Sequence, residues 1–184
     1  LRASPAFLMV GTMEPRKGHA LVLDAFEQLW AEGVDAILVV VGRQGWMSDT
    51  LVARMRTHAQ AGTCLIWLQQ ASDEYLEQIY GIAHALVAAS EAEGFGLPLV
   101  EAARHGLPVI ARDIPVFREV SDGFARYFDG SQRDSLVEAL RQQIAIGRAG
   151  RVPAATAILR WQDTAGRLWD MLYDGAHAQC MHPT

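Results

Sequence analysis

Short apolar runs alternate along the chain with longer stretches in which apolar residues recur every three or four positions. Residues 6–10 (Ala-Phe-Leu-Met-Val) form an apolar run closed by Gly11 and predict a buried strand. From 18 to 32 the set Leu21, Val22, Ala25, Phe26 and Leu29 keeps the helical period. Residues 36–41 are continuously apolar, as in a parallel strand covered on both faces. A helix over 49–59 and a strand over 63–68 follow, then a helix start at Ser72, which suits an N-cap ahead of Asp73 and Glu74. Strands over 85–88 and 108–111 flank a helix over 97–105. A short helix over 116–120, a strand over 125–128 and a helix over 131–146 continue the alternation. After a Gly/Pro-containing break at 147–153, a last helix is expected over 156–173, carrying Trp161, Leu168, Trp169 and Leu172. The polar segment 175–184 reads as a frayed tail.

Strand–helix alternation with short links predicts an α/β fold: a Rossmann-like, doubly wound parallel sheet of six strands in the order 3-2-1-4-5-6. At 184 residues the chain fits one such domain, expected over 1–174. It opens on Leu1-Arg2-Ala3-Ser4, without an initiator methionine or signal peptide, and runs directly into the first strand. This predicts a fragment that begins at a domain boundary.

Composition narrows the function. Apolar residues make up 51% and charged residues 20%, the balance of a globular protein rather than a disordered one. A net charge of -5 argues against duplex nucleic acid as a partner, which calls for a basic face. No window reaches eighteen uninterrupted apolar residues, so no membrane span is expected. Cys64 and Cys180 show neither a disulfide pattern nor metal-ligand spacing, pointing to a reducing compartment. Fifteen arginines stand against a single lysine, Lys17. Codon bias accounts for the ratio, and the retained ammonium at 17 marks a position where a compact point charge suits.

Ligands of open α/β sheets sit beyond the carboxyl ends of the strands. Two segments there are unusual. Gly11-Thr12-Met13-Glu14-Pro15-Arg16-Lys17-Gly18 is no dinucleotide fingerprint, because its glycine spacing is wrong. It places two adjacent cations beside a helix N-terminus, an arrangement suited to a diphosphate; taken alone, the loop reads equally well as a solvated charged turn. In Ser90-Glu91-Ala92-Glu93-Gly94-Phe95-Gly96-Leu97-Pro98-Leu99-Val100-Glu101-Ala102, Gly94 and Gly96 admit close approach of a ligand to the backbone. Pro98 fits the first turn of the next helix. Individually, Glu101 also reads as an acid favoured by the helix dipole, and Phe95 as a loop anchor.

Together, Glu93-x7-Glu101 around Gly-Phe-Gly-Leu-Pro and Gly11-Thr-x-Glu-Pro-Arg-Lys-Gly18 resemble the C-terminal, nucleotide-sugar-binding half of retaining GT-B glycosyltransferases of group 1, family four. Residues 109–115, Glu119-Val120 and Arg160-Trp161 extend the resemblance over nearly the whole chain. It implies that Glu101 accepts hydrogen bonds from the ribose hydroxyls and that Glu93 holds hydroxyls of the donor sugar. It implies that the backbone of Gly94, Phe95, Gly96 and Leu97 lines the sugar and distal phosphate, with Gly11 and Thr12 on the facing loop. Arg16 and Lys17 would neutralise the departing diphosphate, making Arg16, Lys17 and Glu93 the catalytic candidates. Glu93 is not implied to be a nucleophile, despite the glycosidase-like pairing of carboxylates. No metal and no cofactor are implied, and the chain has no Asp-x-Asp motif. Thr12 stands where many members carry arginine, and Gln69 where a glycine is common, beside the nucleotide base.

The resemblance therefore predicts a hexosyltransferase half that takes a nucleotide-diphosphate sugar, GDP-mannose before a UDP-sugar. It would serve a growing cell-surface polysaccharide or lipopolysaccharide, through a glycan or lipid-linked acceptor held by a missing N-terminal domain. The expected location is the cytoplasm, with the inner face of the membrane as a peripheral variant. A non-catalytic sugar-nucleotide binding module and half of a GT-B nucleotide-sugar 2-epimerase are the alternatives. A phosphorylase-like enzyme is disfavoured, since the one lysine lies on the diphosphate loop. His19, His84 and His105 form no metal-ligand spacing and read as packing residues, as do Trp161 and Trp169.

Overall fold

The computed structural model describes residues 4–147 and, further on, residues 165, 166, 169, 170 and 173. Six parallel strands carry the fold: β1 (Ala6–Val10), β2 (Ile37–Val41), β3 (Leu65–Leu68), β4 (Ala85–Ala88), β5 (Val109–Arg112) and β6 (Arg126–Phe128). Their order is β3-β2-β1-β4-β5-β6, as the alternation of elements predicts. Between them run α1 (His19–Ala31), α2 (Asp49–Thr57), α3 (Asp73–Ile82), α4 (Leu97–Arg104) and α5 (Pro115–Ser121), with α6 (Arg133–Ile146) after β6.

Adjacent strand residues point to opposite faces of the sheet, and each face has its own core. Phe7 and Met9 pack with Phe26, Leu29, Leu136 and Leu140 from α1 and α6. Leu8 and Leu86 pack with Tyr80, Leu99 and Phe117 from α3, α4 and α5. All four residues of β4 are buried, the reason its sequence is uninterrupted by polar side chains. The chain winds outward from β1 to β3, returns, and continues from β4 to β6. The adjacent carboxyl ends of β1 and β4 thus form the switch point, and both unusual loops of the sequence start there.

Element limits differ from the periodicity where side chains or turns capture the backbone. The second helix stops at Thr57 because His58 is extended and its Nδ1 accepts the N–H of Gln60 at 3.0 Å. The third strand starts at Leu65, since a turn binds Leu65 N–H to Gln60 O and Gly62 N–H to Leu65 O, both at 2.9 Å. The sixth helix starts at Arg133, after Asp129 accepts the Ser131 N–H at 2.8 Å. Ser72 caps α3 as expected, accepting the Tyr75 N–H at 3.2 Å.

The chain divides into two compact units, residues 1–154 and 155–184. In the second, backbone at the described positions is helical, and Trp169 and Tyr173 stack at 4.7 Å with both rings exposed. Trp161, Arg160, Cys180 and the 175–184 tail lie outside the described residues, so the expected 1–174 domain limit stays an expectation.

Candidate active site

The loop after β1 carries a short 3₁₀ turn, Pro15–Lys17, that the apolar pattern does not reveal. Gly18 ends this turn and begins α1 in the left-handed region, φ +75°. A Cβ there would stand 2.3 Å from the Ala89 carbonyl oxygen. Glycine is thus required for two reasons, conformation and contact. The close approach brings the two loops together, and the Glu91 N–H donates to Arg16 O at 2.7 Å.

This stitching places the predicted cations against the predicted carboxylate. Lys17 Nζ lies 2.5 Å from Glu93 Oε1, which also accepts from Ser90 Oγ at 2.7 Å. Arg16 donates to the Ala92 carbonyl at 3.2 Å and pairs with Glu14 at 3.0 Å, and it stands 3.7 Å from Glu93 Oε2. The expected pair of cations is therefore balanced by two carboxylates. The turn is therefore not a bare positive site. Glu14 and Ser90 are site residues that sequence reasoning missed. Glu14 sits inside the motif, and only the 3₁₀ turn brings its carboxylate to Arg16. Ser90, 5% exposed, precedes Glu93 by three positions, a spacing suited to a local side-chain bond.

Arg112, at the end of β5, donates from Nε to Ala89 O at 2.9 Å, the oxygen that Gly18 approaches. Its guanidinium thus supports the start of the Glu93 loop from beneath.

The two glycines of the second loop differ in their surroundings. Gly96 caps α4 in the left-handed region, φ +86°, and a Cβ there would meet the Phe117 ring at 3.1 Å. It is buried, and the missing Cβ leaves room for the Phe117 ring. Gly94 opens to free space. Phe95 and Leu97 are each 56% exposed, so Phe95 does not anchor the loop in the core.

Two cavities adjoin the switch point. Beside Lys17, Ser90 and Glu93 the space closes to about 10 Å³ over Pro98, Leu99 and Phe117. A more open cleft of about 430 Å³ is lined by Gly11, Thr12, Gly42, Arg43, Gln69 and Gln70. The second predicted glutamate stands apart from both: Glu101, half-buried on α4, accepts from the Tyr80 hydroxyl at 2.6 Å. Burial foremost, then the Glu101 carboxylate, pushes the ionisation of Tyr80 far above its ordinary value, so it remains a donor. Tyr80 is a further residue the sequence reading missed.

His84 and His105 make packing contacts with Phe7 and Tyr80. His84 Nε2 contacts Gln143 O at 3.1 Å, and His105 stacks on Tyr80. His19, 3% exposed, has no hydrogen-bond partner on either ring nitrogen among the described residues, and burial, then Lys17, lowers its pKa to about 4. Among the described residues no three His, Cys, Asp or Glu cluster as a metal site, and no helix is long and apolar enough to cross a membrane.

The switch point thus gathers a cation turn and a clamped glutamate, with the second glutamate further along on α4. A family model for glycosyl transferases group 1 matches residues 3–148, and the chain belongs to that family. It is 48% identical over 167 residues to the serotype-specific mannosyltransferase WbdA of Escherichia coli, covering 90% of this chain and 20% of that protein. It is 31% identical over 138 residues to the O-antigen chain mannosyltransferase B of Escherichia coli, covering 74% of this chain and 36% of that protein. In fold it matches a sucrose-phosphate synthase from Thermosynechococcus elongatus with a TM-score of 0.75 at 23% identity, over 94% of this chain and 46% of the other. The chain therefore spans between a fifth and a half of these proteins.

Proposed function

We propose that this chain is the donor-binding half of a retaining, GT-B-type hexosyltransferase of family four. It would move mannose from GDP-mannose to a growing O-antigen-like glycan or its lipid-linked acceptor. The observation that carries the reading is the meeting of Lys17, Arg16 and Glu93 at the carboxyl ends of β1 and β4. The names of the mannosyltransferase relatives support the choice of sugar.

In this reading the cations of the 3₁₀ turn release their carboxylates and take the diphosphate. As the glycosidic bond breaks, negative charge grows on the departing phosphate, and Lys17 and Arg16 stabilise it where it forms. Glu93, freed from Lys17 and still held by Ser90, accepts hydroxyls of the donor sugar. Glu101 accepts from the ribose, the backbone of Gly94, Phe95, Gly96 and Leu97 lines the sugar and distal phosphate, and Gln69 borders the base. The charge is supplied by side chains, so the reading needs neither metal nor organic cofactor. The acceptor and the general base belong to a second domain, and the setting is the cytoplasm or the inner face of the membrane.

The test is sugar transfer by a two-domain protein carrying this chain, with GDP-mannose and a lipid-linked acceptor. Lys17→Ala is expected to lower kcat by about 10²–10³, the cost of one transition-state charge contact. The 184-residue chain alone is expected to transfer nothing. Turnover by that chain would overturn the half-enzyme reading, and binding without turnover in the two-domain protein would favour a non-catalytic module.

A further inference from the structure

We propose that Tyr80 is the positioning residue that sets Glu101 for the ribose, and that it thereby makes the site select ribonucleotides over their 2′-deoxy counterparts. This rests on the reading of the chain as a nucleotide-sugar site.

Tyr80 is 1% exposed, yet its hydroxyl is satisfied, donating to Glu101 Oε2 at 2.6 Å. Its ring lies parallel to that of His105, with centroids 5.4 Å apart and an interplanar angle of 6°. His105 Nε2 in turn stands 2.6 Å from Glu77 Oε2. Glu77 and Tyr80 are three positions apart on α3, and Glu101 and His105 four apart at the end of α4, so each pair shares one helix face. The two helices are joined by this array of four side chains, with Glu101 at its end.

A glutamate has several rotatable bonds, and a half-buried one without a partner would sample many positions. Here one oxygen is pinned by a phenol that stays a donor at all working pH values, because its ionisation is pushed far up. The other oxygen, Oε1, has no hydrogen-bond partner among the described residues. One oxygen of the carboxylate is thus held in place before a ligand arrives. Reading two neighbouring hydroxyls depends on such a fixed point, since each must find an acceptor lone pair at hydrogen-bonding distance. Loss of the pin would affect recognition of the ribose diol before it affects recognition of the phosphates. The site's preference for ribose, rather than its overall affinity, is what Tyr80 controls.

Calorimetric titration of the 184-residue chain with GDP, 2′-deoxy-GDP, UDP and 2′-deoxy-UDP tests this, with thermal unfolding checking that each variant is folded. For the better base, the wild type is expected to bind the ribo form about tenfold or more tightly than the deoxy form. Tyr80→Phe is expected to cut that ratio about threefold or more while changing deoxy affinity less than about twofold. In Glu101→Ala the ratio falls to about one, and adding Tyr80→Phe changes it no further. His105→Leu keeps an apolar face on Tyr80 but releases Glu77, and it is expected to lower the ratio about twofold; it stands in if Tyr80→Phe does not fold. A preserved ratio in Tyr80→Phe and His105→Leu, or equal losses for ribo and deoxy forms, overturns the role of Tyr80 alone. Absence of nucleoside diphosphate binding by the wild type, or a ratio untouched by Glu101→Ala, overturns the site reading beneath it.

Discussion

Lys17 Nζ and Glu93 Oε1 meet at 2.5 Å although 76 positions separate them in the chain. The contact joins the two loops of the switch point, and both side chains are mostly buried, at 16% and 13% exposure. In the proposed reading it also makes Glu93 a competitor for the cation that would hold the diphosphate. Glu93→Gln keeps the shape and removes the charge. It is expected to tighten a nucleoside diphosphate several-fold, worth about 1 kcal/mol. The same change should weaken the intact nucleotide sugar about tenfold, because a charged acceptor for its hydroxyls is lost. Titration with both ligands measures this, and a change of the same sign for both would break the assignment of Glu93 to the sugar.

Gly18→Ala tests the join itself. The added Cβ would press on the Ala89 carbonyl at 2.3 Å, in a backbone conformation that alanine adopts only under strain. Backbone must shift, so a loss of about 2–4 kcal/mol is expected in urea unfolding. Gly94→Ala, where a Cβ meets open space, is expected to cost under about 1 kcal/mol. Equal costs would refute the stated geometry.

The sheet order was legible because each strand is a short apolar run and each helix keeps its period, so local pattern and global fold agree. Lys17 and Glu93 were legible as motif residues, yet their ion pair was not. It depends on a 3₁₀ turn and on Gly18 meeting Ala89, contacts between loops far apart in sequence. Tyr80 was hidden differently: it occupies a buried position of α3 that any large apolar residue could fill, and only its hydroxyl's partner on α4 reveals the second task. The packing reason for Gly96 was not legible, because the Phe117 ring that a Cβ would meet comes from a helix beyond the next strand.

His19 makes stability depend on pH. Its pKa falls from 6.5 to about 4 in the folded chain, through burial first and Lys17 second. The unfolded chain therefore binds more protons between these values, and stability rises with pH across that window. The stabilisation is fully present above about pH 6.5 and is lost as pH falls through about 4, a swing of about 3 kcal/mol. His19→Leu removes the titrating group. Unfolding free energies of the two proteins, compared from pH 4 to 7, should diverge with the slope of one proton, and parallel curves would show that His19 does not carry the effect.

The donor base is the last point at which residues and ligand can be matched. The cleft of about 430 Å³ beside Thr12 and Gly42 ends on Gln69 and Gln70, both exposed at the end of β3. Each amide offers donors and an acceptor, so the pair can meet the edge of guanine or of uracil, and the residues do not separate the two. The proposed donor, GDP-mannose, sets the expectation of GDP. Binding to the folded state raises the melting temperature by an amount that grows with the logarithm of ligand concentration over Kd. At equal concentration GDP is therefore expected to give the largest shift among GDP, UDP, ADP and dTDP. Gln69→Ala should reduce the GDP shift while leaving the small shift from inorganic pyrophosphate in place, because in the proposed reading the amide meets the base and not the phosphates. A shift with UDP where GDP gives none would move the donor to a UDP-sugar, with Lys17, Glu93 and Glu101 keeping their roles.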